Sequence, residues 1–148
     1  MYPIGILAGL LLLYSFISIS NFDRAINENR ISQTNFVSGQ LRAYGSYVAA
    51  YARANPSANG SVSDAAAGVP AWLTRPPGMT GLASGGRGYV YFMPYTLAEG
   101  NEIARNCGGS LICGVTRSSL LYIPGESTPV PMAMPAGIPA NGALVLVL

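Results

Sequence analysis

From Tyr2 to Phe22 the chain carries no charge, and residues 4–19 read IGILAGLLLLYSFISI. A run of that kind approaches the roughly 20 apolar residues needed to cross a bilayer. It predicts a transmembrane helix over 1–22, touching lipid through residues 4–20. Pro3 suits a first helical turn, and Asp23-Arg24 marks a return to water. Two other readings of the same run stand beside this one, a buried core helix and a cleaved signal peptide, the second because Ser18 and Ser20 are small residues at signal-peptidase spacing. Arg24 and Arg30 weakly favour a cytoplasmic C-terminal side. The even cysteine pair in a short chain favours an exported body instead.

Residues 36–52 place Val37, Leu41, Tyr44, Val48 and Tyr51 at alternating spacings of four and three, with Gln40, Arg42, Ser46 and Arg53 off that line. Such spacing predicts an amphipathic helix. Its apolar stripe is a candidate partner interface, and equally a face packed on the chain's own domain. Asn55-Pro56 should end the helix, since proline disfavours helical geometry in the residue before it. The small polar stretch 56–71 then reads as a linker, and Trp72, the only tryptophan, as a core anchor.

Gly88 to Tyr95 is dense in strand formers, Thr96 to Asn106 suits a short helix, and 110–116 and 119–123 suit two more strands. Prolines at 124, 129, 131, 135 and 139 suggest an extended arm, and the closing ALVLVL is too apolar to dangle in water. The predicted class is α+β: a transmembrane helix, an amphipathic helix, then a small antiparallel-sheet body with a short helix. The expected divisions are an anchor 1–22, a helical segment 23–55, a linker 56–71 and a body 72–148.

Composition narrows the chemistry. There is no histidine and no lysine, so an imidazole base, a His-ligated zinc, a Schiff base and a P-loop lysine are excluded together. Only 9% of residues are charged, and the arginines are scattered, which is no footprint for nucleic acid. Cys107 and Cys113 enclose a glycine-containing loop, CGGSLIC, and predict a structural disulfide; a redox site would want C-x-x-C, and zinc would want more ligands. Glu99 and Glu102 form the close carboxylate pair, at a spacing typical of solvated helix surface. Gly85-Gly86-Arg87-Gly88 reads as a turn before a strand rather than an anion nest. No catalytic residue, cofactor or metal is expected, and the chain is read as a non-enzyme.

The anchor at 4–19, the stretch Gly88 to Tyr95 and the pair Cys107 and Cys113, in a chain of this length, together resemble the PilM family of type IVB, conjugative-type thin pilus systems. That resemblance implies a small single-pass inner-membrane protein with its body in the periplasm, required for thin pilus biogenesis and plasmid transfer in liquid. It implies other pilus-assembly membrane proteins as partners, with a second copy of the chain as a further candidate, and no enzymatic activity. Two alternatives stay open: a pilin-like minor subunit, although Leu10 stands where a processed pilin would carry glutamate, and a membrane-tethered enzyme of envelope polymers built around Glu99 or Asp64.

Overall fold

The computed structural model describes residues 3–107 and 111–148, with side chains described outside 1–10, 16, 20 and 108–110. Helix α1 (Pro3–Ala54) is followed by β1 (Gly60–Val62), α2 (Asp64–Ala67), β2 (Thr80–Ser84) and β3 (Arg87–Phe92). Then come α3 (Leu97–Asn106), β4 (Ile112–Arg117), β5 (Leu120–Tyr122) and β6 (Leu144–Val147). The chain divides into two compact units, Met1–Gln33 and Thr34–Leu148.

In the first unit the described helical side chains from Leu11 onward are exposed, including Leu12, Ile19, Phe22 and Ile26. Arg24 pairs with Glu28 one turn away at 3.1 Å, and Arg30 donates to Asn27. The expected membrane anchor is corrected here. Among the described residues no helix is long and apolar enough to cross a membrane. The described apolar run, 11–22, spans about 18 Å at 1.5 Å per residue, short of the roughly 30 Å of a hydrocarbon core, before Asp23 and Arg24 interrupt it. The side chains of residues 1–10, which the expected anchor also used, lie outside the described residues. Single-pass insertion in an inner membrane, the periplasmic placement that followed from it, and lipid contact through 4–20 lose their basis with the anchor.

The second unit is built on a six-stranded sheet in the order β1-β2-β3-β6-β4-β5, every neighbouring pair antiparallel. The apolar stretch ALVLVL forms its interior. β6 lies between β3 and β4, with Val147 opposite both Tyr89 and Ile112. Alternate residues of a strand face opposite sides of a sheet. Leu144 and Leu146 accordingly join the core shared with α1 and α3, whereas Val145 and Val147 join the core on the other face. A strand covered on both sides reads as an unbroken apolar run.

The hairpin between β2 and β3 turns on Gly85 and Gly86, both at positive φ, as a two-residue turn matched to strand twist requires. Gly88 then lets β3 lie directly against α1, since a Cβ there would stand 2.9 Å from the Cα of Ala49.

Three local expectations change. Residues 56–71 are not a bare linker: they supply edge strand β1 and the one-turn helix α2, capped by the Ser63 side chain. Trp72, expected as a core anchor, is 74% exposed, while its neighbour Leu73 packs partly buried against the core. The proline-rich stretch 124–142 is no free arm. Its Val130, Met132, Met134 and Ile138 cover the second face of the sheet, and Val130 donates its amide to Leu121 at 2.8 Å.

Candidate functional site

Leu41, Tyr44 and Val48 are fully buried, with Val37 and Tyr51 partly buried against the same cluster of Val90, Phe92, Leu144 and Leu146. The five residues are therefore core, and the partner-interface reading is corrected. A stripe of that spacing needs an apolar surface opposite it, and the chain's own sheet provides one.

Tyr44 also reaches a polar cluster that the sequence did not announce. Its hydroxyl donates to Oδ1 of Asp64 at 3.2 Å. Arg75 donates to Oδ2 of the same carboxylate from Nε at 3.2 Å and from Nη2 at 3.0 Å, and to the carbonyl of Met79 from Nη1. The guanidinium lies 5.1 Å from the centroid of the Tyr44 ring, within cation–π range. Burial pushes the Tyr44 hydroxyl up from its ordinary pKa, and Arg75 partly opposes it. The cluster ties α1, the start of α2 and the approach to β2 together; every acceptor oxygen of Asp64 is engaged in that task.

Glu99 is similarly occupied. Its amide donates to Thr96 Oγ1 at 3.1 Å, and its carboxylate accepts from the amide of Tyr95 at 2.9 Å, a reciprocal pattern like that of a capped helix start. The structure places Glu99 and Glu102 on one helix, α3.

Cys107 ends α3 and Cys113 lies in β4, and both are buried as free thiols in the same core. No bridge joins them in this structure, where both are free thiols. The neighbouring Cys113 thiol holds the Cys107 thiol below its ordinary pKa, against burial and with Arg42 assisting, and the neighbouring Cys107 together with burial drives Cys113 far upward. The glycines credited with the reversal between them, 108 and 109, lie outside the described residues. Arg42 also caps the end of α3, donating to the carbonyl of Asn106 at 3.4 Å.

Two surface clefts lie among the described residues. One, of about 90 Å³, is lined by Asn101, Arg105, Arg117, Tyr122 and Glu126, with the Arg117 guanidinium 5.4 Å from the Tyr122 ring. It holds one carboxylate and no second acid, too little for paired acid–base work. The other, about 340 Å³ and open, is lined by Arg87, Leu111, Ile112, Met132, Val147 and Leu148. Among the described residues no group of three or more His, Cys, Asp or Glu side chains could hold a metal ion.

The chain belongs to the PilM family, whose sequence model matches residues 9–147. The crystal structure of a protein described as PilM from Escherichia coli B7A superposes with a TM-score of 0.57 at 16% identity, covering 80% of this chain and 93% of that one. That likeness speaks for the fold. A protein described as PilM from Pseudomonas aeruginosa 2192 is 30% identical, with a TM-score of 0.47, over 77% of this chain and 92% of that one. Comparison with curated proteins finds no match.

Proposed function

We propose that this protein is a non-enzymatic component of pilus biogenesis, of the type IVB, conjugative thin-pilus class, that holds or positions other pilus-assembly proteins. The observation that carries the reading is the PilM family match over nearly the whole chain. Support for scaffolding rather than catalysis comes from the acids themselves. Glu99 serves a helix cap and Asp64 a Tyr44–Arg75 clamp, so the two carboxylates best placed for chemistry are spent on structure.

The test is complementation of an in-frame deletion by the wild-type chain or by a Glu99→Gln, Glu102→Gln double variant. Both should restore surface pili equally. Loss of pili with the double variant, at normal protein level and fold, would overturn the non-enzymatic reading.

A further inference from the structure

Gly100 lets α3 lie close over β4, since a methyl group there would stand 3.4 Å from Cγ2 of Val115. Val115 and Arg117 lie on one face of β4, and Tyr122, paired with Val115 from β5, shares that face. Asn101 and Arg105 are one turn apart on α3, and with Arg117, Tyr122 and Glu126 they line the cleft of about 90 Å³. The hairpin that presents Arg117 is tied at its turn. Ser118 and Ser119 both hold positive φ, a strained state for residues with a side chain. Their amides donate to Oδ1 of Asn141 at 2.7 Å and to the carbonyl of Ala140 at 2.9 Å, which fixes the strand end from which Arg117 projects.

Two guanidinium groups reach this cleft without a counter-ion. Arg75 is held by Asp64, but neither Arg105 nor Arg117 forms an ion pair among the described residues, although Glu126 lines the same cleft. Arg117 stacks instead over the Tyr122 ring, 5.4 Å from its centroid. Stacking orients the guanidinium plane and leaves its N–H edge for a planar acceptor. We infer that the cleft seats the carboxylate of an acidic side chain on a partner protein. Charge selects a carboxylate over a phosphate: two arginines against Glu126 leave one net positive charge, which a carboxylate balances, whereas a phosphate brings nearly two negative charges and meets the repulsion of Glu126. Size selects a protein over a free metabolite. The cleft is far below the roughly 300 Å³ at which small-molecule pockets begin, so it holds one group of a larger molecule, with Ile123 and Pro124 as an apolar wall along the methylenes that carry it. The inference rests on the pilus-assembly reading only for the partner's place in that machinery.

The experiment titrates the full chain with acetyl-Ala-Glu-Ala-amide, a blocked peptide whose one charge is a side-chain carboxylate, and follows arginine Nε–H and backbone amide resonances by NMR. Saturable shifts should centre on Arg105, Arg117 and Tyr122 and fade as sodium chloride is raised. The glutamine twin of the peptide should produce none, and inorganic phosphate should bind more weakly. Arg105→Gln and Arg117→Gln should each weaken binding by at least about 10-fold, the worth of a hydrogen bond between charged groups, with near-ultraviolet circular dichroism unchanged. Glu126→Gln, which removes the cleft's own negative charge, should tighten binding by about 2- to 5-fold. In a deletion strain, a chain carrying both Arg105→Glu and Arg117→Glu should fail to restore pili at normal protein level. No saturable binding, equal binding of the glutamine peptide, tighter binding of phosphate, no gain in Glu126→Gln or unchanged affinity in the arginine variants would each overturn the inference. Full restoration of pili by the charge-reversed chain would also overturn it, and would leave the pilus role itself standing. Normal pili in the uncomplemented deletion strain would strike the pilus role and, with it, the partner's place in that machinery.

Discussion

The hydroxyl of Tyr44 in α1 donates a 3.2 Å hydrogen bond to Asp64, the first residue of α2, and the Arg75 guanidinium that grips the other carboxylate oxygen lies 5.1 Å from the ring of the same tyrosine. One aromatic side chain thus fills the core between helix and sheet and anchors a polar clamp at its rim. Tyr44→Phe should cost about 1 kcal/mol, the net worth of one hydrogen bond. Asp64→Ala should cost about 1 to 3 kcal/mol, because it also leaves the partly exposed Arg75 without its carboxylate. Tyr44→Ala, which opens a cavity in the core, should cost about 3 to 5 kcal/mol. Urea unfolding of the three variants checks the ranking.

The same tyrosine sets an alkaline limit. Burial raises its folded-state pKa above the ordinary 10.0, so the folded chain holds the phenolic proton more tightly than the unfolded one. Below pH 10 both states are protonated and the contribution is fully present. As pH rises past 10 the unfolded chain loses its proton first, and stability falls until the folded state titrates as well. Unfolding measured between pH 8 and 11 should show a steeper alkaline loss in the wild type than in Tyr44→Phe.

Gly88 marks where strand and helix backbones nearly touch. A methyl group there would sit 2.9 Å from the Cα and 3.0 Å from the amide nitrogen of Ala49, and 3.2 Å from the carbonyl carbon of Val48, so helix backbone rather than a flexible side chain would have to yield. Gly88→Ala should destabilise the domain by about 1 to 3 kcal/mol, as overpacking does. Gly39→Ala, in open space on the same helix as Val48, should be neutral or slightly stabilising by comparison. Thermal melts of the two variants give the contrast.

The buried thiol pair makes a chemical prediction. Cys107 and Cys113 are 0% and 3% exposed, so a thiol reagent should react with neither in the native protein, and with both once the chain is unfolded. Protein prepared without reductant that shows no reactive thiol even when unfolded would mean that the bridge forms in the isolated molecule.

Much of the sheet domain could be read from the chain. The strand at Gly88 to Tyr95, the helix from Thr96 to Asn106 and the helix end at Asn55-Pro56 follow from local spacing and turn chemistry, and they recur in β3, α3 and the end of α1. What could not be read was long-range. The stripe from Val37 to Tyr51 showed that a surface would be covered, but not that β3 and β6, from distant parts of the sequence, would cover it. ALVLVL announced a strand, yet its central place depends on pairing with both β3 and β4. Asp64 and Arg75 lie eleven positions apart in a stretch without periodicity, and nothing local joins them to Tyr44. Trp72 misled because size alone does not bury a side chain: it stands exposed while the smaller Leu73 beside it packs against the core. The apolar opening segment misled in another way: composition argued for a membrane, whereas no described helix is long and apolar enough to cross one.

The most direct test of the central claim, a non-enzymatic role in pilus assembly, is to delete the reading frame in the native host, complement it in trans, and count surface pili by electron microscopy while measuring the level of pilin protein. The account predicts loss of pili with pilin still made at its normal level, and recovery on complementation. Normal pili in the deletion strain would contradict it.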